Sequence, residues 1–520
     1  MKTLSKILCV SAIAGALVAC SDSVKVEPEE GTSLEQKIRQ TAEQSLDAFN
    51  IPGLAVVAVK DGEVVLAEGF GVRDVESQEP VTPTTLFGIA SHTKAFTAAA
   101  MATLVEQGKV DWDDKVIEHL PSFKLADPYI TRELTIRDLL SHRSGLGLGA
   151  GDLMIWPNTD KTTDEVIAGL ANVPIEHGFR ERFDYNNLMF VTAGEVISEV
   201  SGMPYHQYVE QTLFEPMQMD ESTIGFSRID ASYDNVAVGT IEMDGELHRF
   251  PLDFLEDFSA AGATAASVDD MSRWLLTLLN EGETLTDKRL FKEESLHDMW
   301  QLTTPLPVSA DAAEQGTYFR GYGLGWFVKD YYGVKHVSHS GGILGMLSFT
   351  TVIPEKEFAI TVMSNQQAFG ALTAIVQESL EEVLDVPDQD WVANESKKYH
   401  EFIQKKSDFK VEAVEDPQSA LALYKYAGTY KDAWYGDVVI SEQDDSLRID
   451  FTHTEMLKGS LEHYNGNTFI VRWDEPLLEA DAFIDFNVNR NNEIKTATME
   501  AVADFTDFSF DFHNLKLEKQ

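Results

Sequence analysis

Apolar residues recur with helical spacing from Ser33 onward, in LEQKIRQTAEQSLDAF, and Ser33 is a suitable N-cap. Two apolar runs follow, GLAVVAVK and EVVLAEGFGV, and both have the composition of strands. They are separated by Asp61-Gly62, a dipeptide that strongly favours a tight hairpin turn. The pattern therefore predicts a leading helix followed by an antiparallel hairpin.

Helical patterns and loops dominate the next part of the chain, from Ser91 to about Gly262. Strand patterns then return in YGLGWFVKD, VKHVSHSGG, LSFTTVIP and EFAITVMSN, and the amphipathic segment ALTAIVQESLEEVLDV follows them. Because helices precede and follow the strands, we expect an α+β domain, an antiparallel sheet flanked by helices, with a large helical insert.

Short alternating runs fill the last hundred or so residues, among them GDVVISEQ, SLRIDFT, TFIVRW and AFIDFNV, with turn residues between them. They predict a second, all-β domain, either a small barrel or a sandwich. The predicted organisation is a signal peptide at 1–20, an acidic tether at 21–32, the α+β domain at 33–390, a polar linker at 391–417 and the all-β domain at 418–520.

The first twenty residues have the pattern of an export signal. Lys2 and Lys6 precede ILCVSAIAGALVA, an apolar run too short to span a bilayer comfortably. The run ends in LVAC, which resembles a bacterial lipobox and predicts lipidation of Cys20. We therefore expect an exported protein that a lipid holds at the cell envelope, in the periplasm or on the outer surface. The other cysteine, Cys9, would leave with the signal, so no disulfide is expected.

The composition, with 43% hydrophobic and 24% charged residues, is typical of a soluble globular protein. The formal net charge of -45 argues against binding to nucleic acid or to an anionic membrane surface, since both would be repelled. Apart from a substrate, the only partner that the sequence predicts is the membrane, reached through the lipid on Cys20. It does not indicate an oligomeric state.

A hydroxyl and an amine stand three residues apart in GIASHTKAFTAAAM, at Ser91 and Lys94. Residues at this spacing share one face of a helix, as a nucleophile and its base would. Burial against the apolar residues that follow would lower the pKa of Lys94 and let its neutral amine accept a proton. The spacing alone is weak evidence, because Ser407 and Lys410 repeat it in a polar segment that we interpret as solvated surface.

Two further stretches carry candidate chemistry. In FDYNNLMF, the Tyr185 hydroxyl can relay a proton and the Asn187 amide can bind a substrate carbonyl. The similar Tyr233-Asp234-Asn235 lacks a clear helix after it, so Tyr185 is favoured. In VSHSGGILG, a predicted strand carries His339 and Ser340 into two glycines, and such an edge strand can bind substrate.

In this order, the three stretches resemble the penicillin-recognising serine hydrolases, which include class C β-lactamases, D,D-peptidases, D-aminopeptidases and related esterases. The resemblance covers roughly residues 35 to 385, and LTIRDLLSHRSGL and GATAASVDDMSRWL support it. It implies that Ser91 is the acylated nucleophile, Lys94 and Tyr185 the proton-transfer pair, Asn187 a substrate ligand, and the N–H groups of Ser91 and Gly342 the oxyanion hole. The all-β domain resembles the lipocalin-like module of some members.

One departure concerns the third stretch. β-Lactamases and many D,D-peptidases have a lysine where this chain has His339, so binding of a substrate carboxylate is in doubt. A histidine offers a positive charge only when it is protonated, near or below pH 6.5. We therefore expect neutral esters or amides to react faster than carboxylate-bearing substrates at pH 8, and the gap to narrow toward pH 6.

Other chemistries lack support in the sequence. It contains no G-x-S-x-G, no H-E-x-x-H and no paired Cys/His spacing, so neither a metal nor a cofactor is expected. His142 is interpreted as a structural loop residue. The favoured function is an exported serine hydrolase that cleaves amide or ester bonds through an acyl-enzyme, with peptides of D-amino acids among the candidate substrates. The alternatives are a β-lactamase or D,D-carboxypeptidase, and a non-catalytic lipoprotein that binds ligands on the same fold.

Overall fold

The computed structural model describes residues 33–250, 252, 258–314 and 316–520. The predicted signal peptide, the predicted tether and Cys20 lie outside the described residues, so export and lipidation stay predictions. In the described part of the chain, no helix has both the length and the hydrophobicity that a membrane span requires.

The chain begins with the predicted helix and hairpin. Helix α1 (Ser33–Ala48) leads into strands β1 (Gly53–Lys60) and β2 (Glu63–Gly71). Asp61 and Gly62 connect the strands with φ values of 53° and 78°, as a tight hairpin turn requires. Both predictions are confirmed.

A long insert of mostly helices and loops follows, as the sequence predicts. Its elements in chain order are β3 (Phe87–Gly88), α2 (Thr93–Glu106), α3 (Val116–His119), α4 (Pro128–Glu133), α5 (Ile136–Leu139), α6 (Thr163–Gly169), α7 (Asn187–Ser201), α8 (Tyr205–Val209), α9 (Glu215–Met217), β4 (Thr223–Ile224), β5 (Gly239–Met243), β6 (Glu246–Phe250), α10 (Ser259–Gly262), β7 (Thr264–Ala266), α11 (Val268–Leu279) and α12 (Glu293–Met299).

The second half of the main sheet then completes the first domain. Its elements are β8 (Thr304–Leu306), α13 (Ala310–Glu314), β9 (Arg320–Tyr322), β10 (Phe327–Tyr331), β11 (Val334–Ile343), β12 (Met346–Ile353), β13 (Phe358–Ser364), α14 (Phe369–Leu384) and α15 (Trp391–Asp408). The sheet has eight antiparallel strands in the order β2-β1-β13-β12-β11-β10-β9-β8. Helix α15 occupies much of the stretch that the sequence predicts to be a polar linker.

The sheet is buried on both faces, and β1 shows how its sequence divides between them. Leu54, Val56 and Ala58 belong to the cluster that contains apolar residues of α1 and α14. The alternate residues, Ala55 and Val57 among them, belong to the cluster that contains α2 and α11. Because successive strand residues point to opposite faces, a continuous apolar strand is packed by helices on both sides.

The C-terminal domain is a closed eight-stranded antiparallel barrel, which settles the choice between barrel and sandwich. Closure removes the exposed sheet edges, and an aromatic cluster that includes Tyr426, Phe469 and Phe486 fills part of the interior. The strands are β14 (Gly428–Asp432), β15 (Gly436–Gln443), β16 (Ser446–Phe451), β17 (Lys458–Asn465), β18 (Thr468–Trp473), β19 (Ala482–Val488), β20 (Ile494–Ala501) and β21 (Leu517–Lys519).

Candidate active site

Ser91 lies in a single 3₁₀ turn, Ala90–His92, that continues directly into helix α2. Nearly all of α2 is buried, so its first turn is held firmly in the domain. The preceding residue, Ala90, has a φ of 50°, in the left-handed region that costs a non-glycine residue about 1–2 kcal/mol. Packing of the buried helix therefore holds strained backbone directly before Ser91, as is common next to functional residues.

Lys94 is fully buried, and its ammonium nitrogen has three neighbours. The Nζ atom lies 3.1 Å from Ser91 Oγ, 2.7 Å from Asn187 Oδ1 and 2.6 Å from the Ala261 carbonyl oxygen. Burial lowers the pKa of Lys94 to about 7, although the Asp152 carboxylate opposes the shift. The two carbonyl-type oxygens can only accept, so a neutral amine donates its two N–H groups to them. Its lone pair is then left for the Ser91 hydroxyl.

Asn187 is the first residue of α7, and its amide is held at both ends. Nδ2 donates to Asp152 Oδ2 over 2.7 Å, which fixes Oδ1 toward Lys94. The second hydrogen on Nδ2 remains available, and Asn187 lines the pocket beside Ser91. Asp152 is itself fully buried, and burial raises the pKa of its carboxyl to about 7.

Tyr185 places its hydroxyl beside Ser91 and its ring beside Lys94, whose Nζ lies 4.9 Å from the ring centroid. Burial raises the pKa of Tyr185 well above its usual value, so the phenol keeps its proton at neutral pH. His142 packs against the ring with a centroid distance of 4.2 Å, and its Nδ1 accepts the Asn186 N–H over 3.1 Å. His142 therefore has the structural role that the sequence favours.

Strand β11 passes directly against the Ser91 turn. A Cβ atom on Gly341 would lie 1.9 Å from the Ile89 carbonyl oxygen, so only glycine permits this approach. Pairing of β11 with β10 ends at Ser338, which leaves the edge beyond it free of that neighbour. Ser340 and Gly342 on this open stretch line the pocket, as expected for a substrate-binding edge.

His339 lies on the same stretch, but its ring is buried and both nitrogens have protein partners. Nδ1 donates to the Ser340 carbonyl over 2.7 Å, because a carbonyl can only accept. In the neutral ring, Nε2 then accepts from the Tyr322 hydroxyl over 2.9 Å. Burial lowers the pKa of His339 well below 6.5, so the expected gain of charge near pH 6 is wrong. The sequence could not indicate how tightly this ring is enclosed.

The predicted site residues of the described chain surround one pocket of about 570 Å³. Lys94 lies directly behind its wall. The two similar motifs that the sequence disfavours lie elsewhere. Ser407 is exposed at the end of α15, and the Tyr233 hydroxyl donates to the Thr84 carbonyl away from the pocket. The predicted residues that line the pocket are Ser91, Tyr185, Asn187, His339, Ser340 and Gly342.

The sequence patterns did not predict that the C-terminal barrel contributes to this pocket. Phe505, Asp507, Phe508 and Ser509, on the loop between β20 and β21, form part of the lining. Ser509 Oγ donates to Asp152 Oδ2 over 2.9 Å, and these residues are 357 positions apart in the chain. No local spacing signals so distant a contact.

Asp152 was also missed. Its turn, Asp152–Met154, follows GLGLGAG, and Gly151 there has a φ of 85°. This glycine-rich stretch is the one available signal of an unusual backbone beside the site. It does not reveal that the next carboxylate is buried against Asn187.

A separate carboxylate group lies away from the pocket. Glu221, Asp269 and Asp270 bring oxygen atoms within 4.8 Å of one another. Asp270 Oδ2 accepts the N–H of Ser222 over 2.7 Å and its hydroxyl over 2.8 Å. This carboxylate thus has a structural partner, and we assign no metal to the group.

Comparison with known proteins identifies the family. The model of the β-lactamase family matches residues 38–378, about two thirds of the chain. The chain belongs to the β-lactamase family. This family consists of serine hydrolases, and Ser91, Lys94, Tyr185 and Asn187 all lie within the matched residues. The barrel, at residues 412–519, matches a family described only as a domain of unknown function (DUF3471).

Individual relatives of this β-lactamase family member agree with the assignment. Unguisins hydrolase ungD of Aspergillus violaceofuscus is 27% identical over 85% of this chain and 83% of its own length. A penicillin-binding protein homologue from Pyrococcus abyssi, described as octameric, has a TM-score of 0.59 at 24% identity, over 93% of this chain and 99% of that chain. D-amino acid amidase from Ochrobactrum anthropi SV3 has a TM-score of 0.57 at 22% identity, over 68% and 99%. The two structural similarities show a shared fold.

Proposed function

We propose that the protein hydrolyses amide or ester bonds through an acyl-enzyme formed on Ser91. The observation that carries the proposal is the environment of Lys94, whose two carbonyl-type acceptors direct the lone pair of the neutral amine toward Ser91 Oγ at 3.1 Å. The names of a hydrolase and an amidase among the similar proteins support amide substrates, with peptides of D-amino acids as one class.

The proposed reaction begins when Lys94 takes the Ser91 proton and Oγ attacks the substrate carbonyl carbon. The backbone N–H groups of Ser91 and Gly342 stabilise the negative charge on the carbonyl oxygen. The carbonyl then re-forms and the bond to the leaving group breaks. Tyr185 donates its proton to that group and regains one from Lys94. Water attacks the acyl-enzyme in the second half, and the same pair moves its proton to Ser91.

A fluorophosphonate probe tests the nucleophile, because it labels an activated serine covalently. We expect a mass increase of one probe adduct on the wild-type protein, with the adduct on Ser91. Ser91→Ala should lose both labelling and hydrolysis. Ser407→Ala is the matched control, since Ser407 has the same spacing to a lysine but is exposed on α15, and it should change neither. Labelling of another serine in the Ser91→Ala protein would refute the proposal.

Parallel incubation with a penicillin separates this function from the β-lactamase and D,D-carboxypeptidase alternatives. Those enzymes bind a substrate carboxylate, whereas burial keeps His339 neutral. Among the described residues, the one lysine that lines the pocket is Lys406, and it pairs with Glu479 at 2.5 Å. We expect probe labelling without a lasting penicillin adduct or rapid penicillin hydrolysis. Absence of any covalent adduct and of any hydrolysis would instead favour a non-catalytic binding module.

We also propose that the protein is exported and anchored to the cell envelope through lipid on Cys20, a proposal that rests on LVAC after the apolar run. Each buried methylene contributes about 0.8 kcal/mol, so stable attachment needs the two or three acyl chains of a lipoprotein. Cys20→Ser should move the protein from the membrane fraction to the soluble fraction. An unchanged membrane fraction would place the anchor elsewhere.

A further inference from the structure

The active-site pocket has two ends, and β11 runs from one to the other. At the first end four rings contact one another in series, those of Tyr185, Phe183, Phe327 and His339. Ile343, four residues beyond His339 on the strand, lines the second end. Because a strand rises about 3.3 Å per residue, the two ends are about 13 Å apart. The turn that carries Ser91 meets the strand between them, at Gly341.

The second end opens into a recess between helix α15 and the barrel, which we call the seam arm. Four residues of α15 line it, at the spacing of one helix face: Tyr399, Phe402, Ile403 and Lys406. The barrel supplies Leu478 and Glu479, at the turn between β18 and β19. The seam arm is therefore formed by both domains and belongs to the same pocket as Ser91.

The walls of the seam arm offer apolar surface, and their charged groups are already paired. Phe402 is 44% exposed, so much of its ring is open to a ligand. Lys406 and Glu479 pair with each other at 2.5 Å, and Glu242 accepts the Tyr399 hydroxyl over 2.7 Å. A charged substrate group would have to displace these partners, whereas an apolar group gains by covering the Phe402 ring.

The position of Tyr185 decides which half of the substrate enters the seam arm. In the proposed reaction Tyr185 gives its proton to the leaving group, so that group lies at the aromatic end of the pocket. The acyl group is bonded to Ser91 Oγ in the intermediate and extends from its carbonyl carbon in the other direction. It therefore passes Gly342 toward Ile343 and the seam arm.

We propose that the seam arm binds an apolar acyl chain, so that the enzyme hydrolyses esters and amides of apolar carboxylic acids in preference to those of short or charged ones. The inference rests on the proposed acyl-enzyme function of Ser91. Each methylene that leaves water contributes about fourfold to kcat/KM. Helix α15 and the barrel turn thereby select the acyl group of a site whose reacting residues lie elsewhere in the first domain.

Two isomeric esters, ethyl hexanoate and hexyl acetate, test the inference. They have the same composition and differ only in which side of the ester bond carries the longer chain. Wild type should hydrolyse ethyl hexanoate with the higher kcat/KM, by about ten- to 250-fold according to how many of the four extra methylenes are buried. Acid release in a pH-stat measures both reactions. Equal kcat/KM values, or a preference for hexyl acetate, would overturn the inference.

Variants of Phe402 test the wall of the seam arm directly. Phe402→Ala should reduce the preference for ethyl hexanoate about four- to 16-fold, the equivalent of one or two methylenes. Phe402→Leu keeps an apolar wall and should retain most of the preference. Because the ring is 44% exposed, both variants should fold. An unchanged preference in Phe402→Ala would contradict the assignment.

Phe369→Ala is the matched control, because Phe369 is 41% exposed and packs on Phe349 without lining the pocket. It should leave the preference unchanged, and a decrease equal to that of Phe402→Ala would also overturn the inference. Fluorophosphonate labelling of Ser91 separates the two levels of the proposal. A wild-type protein that labels and hydrolyses both isomers equally refutes only the role of the seam arm. One that neither labels nor hydrolyses either ester refutes the acyl-enzyme and this inference with it.

Discussion

The Ser509 hydroxyl, on a loop of the C-terminal barrel, donates a 2.9 Å hydrogen bond to the buried Asp152 carboxylate of the other domain. Asp152 in turn accepts from Asn187, and Asn187 accepts from Lys94. A continuous hydrogen-bonded chain therefore runs from the barrel to the base of the proposed reaction. The barrel thus lines part of the pocket and is connected to the lysine through this chain.

Removal of the Ser509 hydroxyl should shift the pH dependence of catalysis. The bond stabilises ionised Asp152, so Ser509→Ala raises the pKa of that carboxyl, weakens its pull on the Lys94 proton and moves the acid limb of kcat/KM to lower pH. We expect a shift of less than one pH unit and a change in the plateau within about tenfold. Thr506→Ala is the control, because that hydroxyl bonds to the Glu479 carbonyl. Equal profiles for the two variants would show that the bond does not reach Lys94.

The pKa of Lys94 should determine the acid limb of the pH profile of kcat/KM. This pKa is lowered to about 7, and only the neutral amine can accept the Ser91 proton, so kcat/KM should rise with pH through about 7 and level off above pH 8. Asp152 titrates in the same range, so the limb belongs to the coupled pair. The measurement is kcat/KM for a neutral ester from pH 5.5 to 9. An activity that falls across this range would exclude Lys94 as the base.

The same residue makes stability depend on pH. The folded state binds fewer protons at Lys94 than the unfolded state between about pH 7 and the ordinary value of 10.5, so the free energy of unfolding rises with pH in this window. The slope from this group is at most about 1.4 kcal/mol per pH unit. Urea unfolding of wild type and Lys94→Met at pH 7.5 and 9.5 isolates the contribution. The methionine variant should lack this increment, and identical slopes would contradict the assigned pKa.

The two adjacent glycines of β11 should respond differently to alanine. A Cβ atom on Gly341 meets the backbone oxygen of Ile89 at 1.9 Å, whereas on Gly342 it meets only Leu347 Cδ2 at 3.3 Å. Gly341→Ala must push the strand away from the Ser91 turn. This should lower the free energy of unfolding by about 1–3 kcal/mol, and it should lower kcat by more than that loss of stability alone would cause. Gly342→Ala keeps its N–H and should be mild. The measurements are thermal unfolding and kcat for both variants. Equal effects would mean that the close approach of Gly341 to Ile89 does not matter.

The neutral ring of His339 gives a prediction opposite to the one made from sequence. The preference for a methyl ester over the matching carboxylate should be the same within about twofold at pH 6 and pH 8, because burial keeps the ring uncharged at both. The ratio of kcat/KM for the ester to that for the carboxylate cancels the effect of Lys94 titration, because Lys94 acts on both substrates. A preference that falls about tenfold at pH 6 would restore His339 as a titrating ligand.

The features predicted from sequence are those that short segments determine. Ser91 and Lys94 are three residues apart on one turn, and Tyr185 and Asn187 precede one helix, so their spacing is visible in the chain. Strand bounds in the first domain follow from apolar runs in the same way. The charge state of His339 depends instead on its enclosure by Tyr322 and Phe327, and these contacts arise only from tertiary packing. Contacts of this kind carry no periodic signal.

The distance in sequence between Asp152 and Ser509 also determines when, during synthesis and folding, the active site can first be complete. During synthesis, Ser509 is the 357th residue added after Asp152, so the carboxylate cannot find its partner before then. Loop 505–509 closes the pocket only after the strands on either side of it have joined the barrel. A nascent or partly folded chain therefore contains Ser91 and Lys94 without a finished site, and hydrolysis becomes a late sign that both domains have folded.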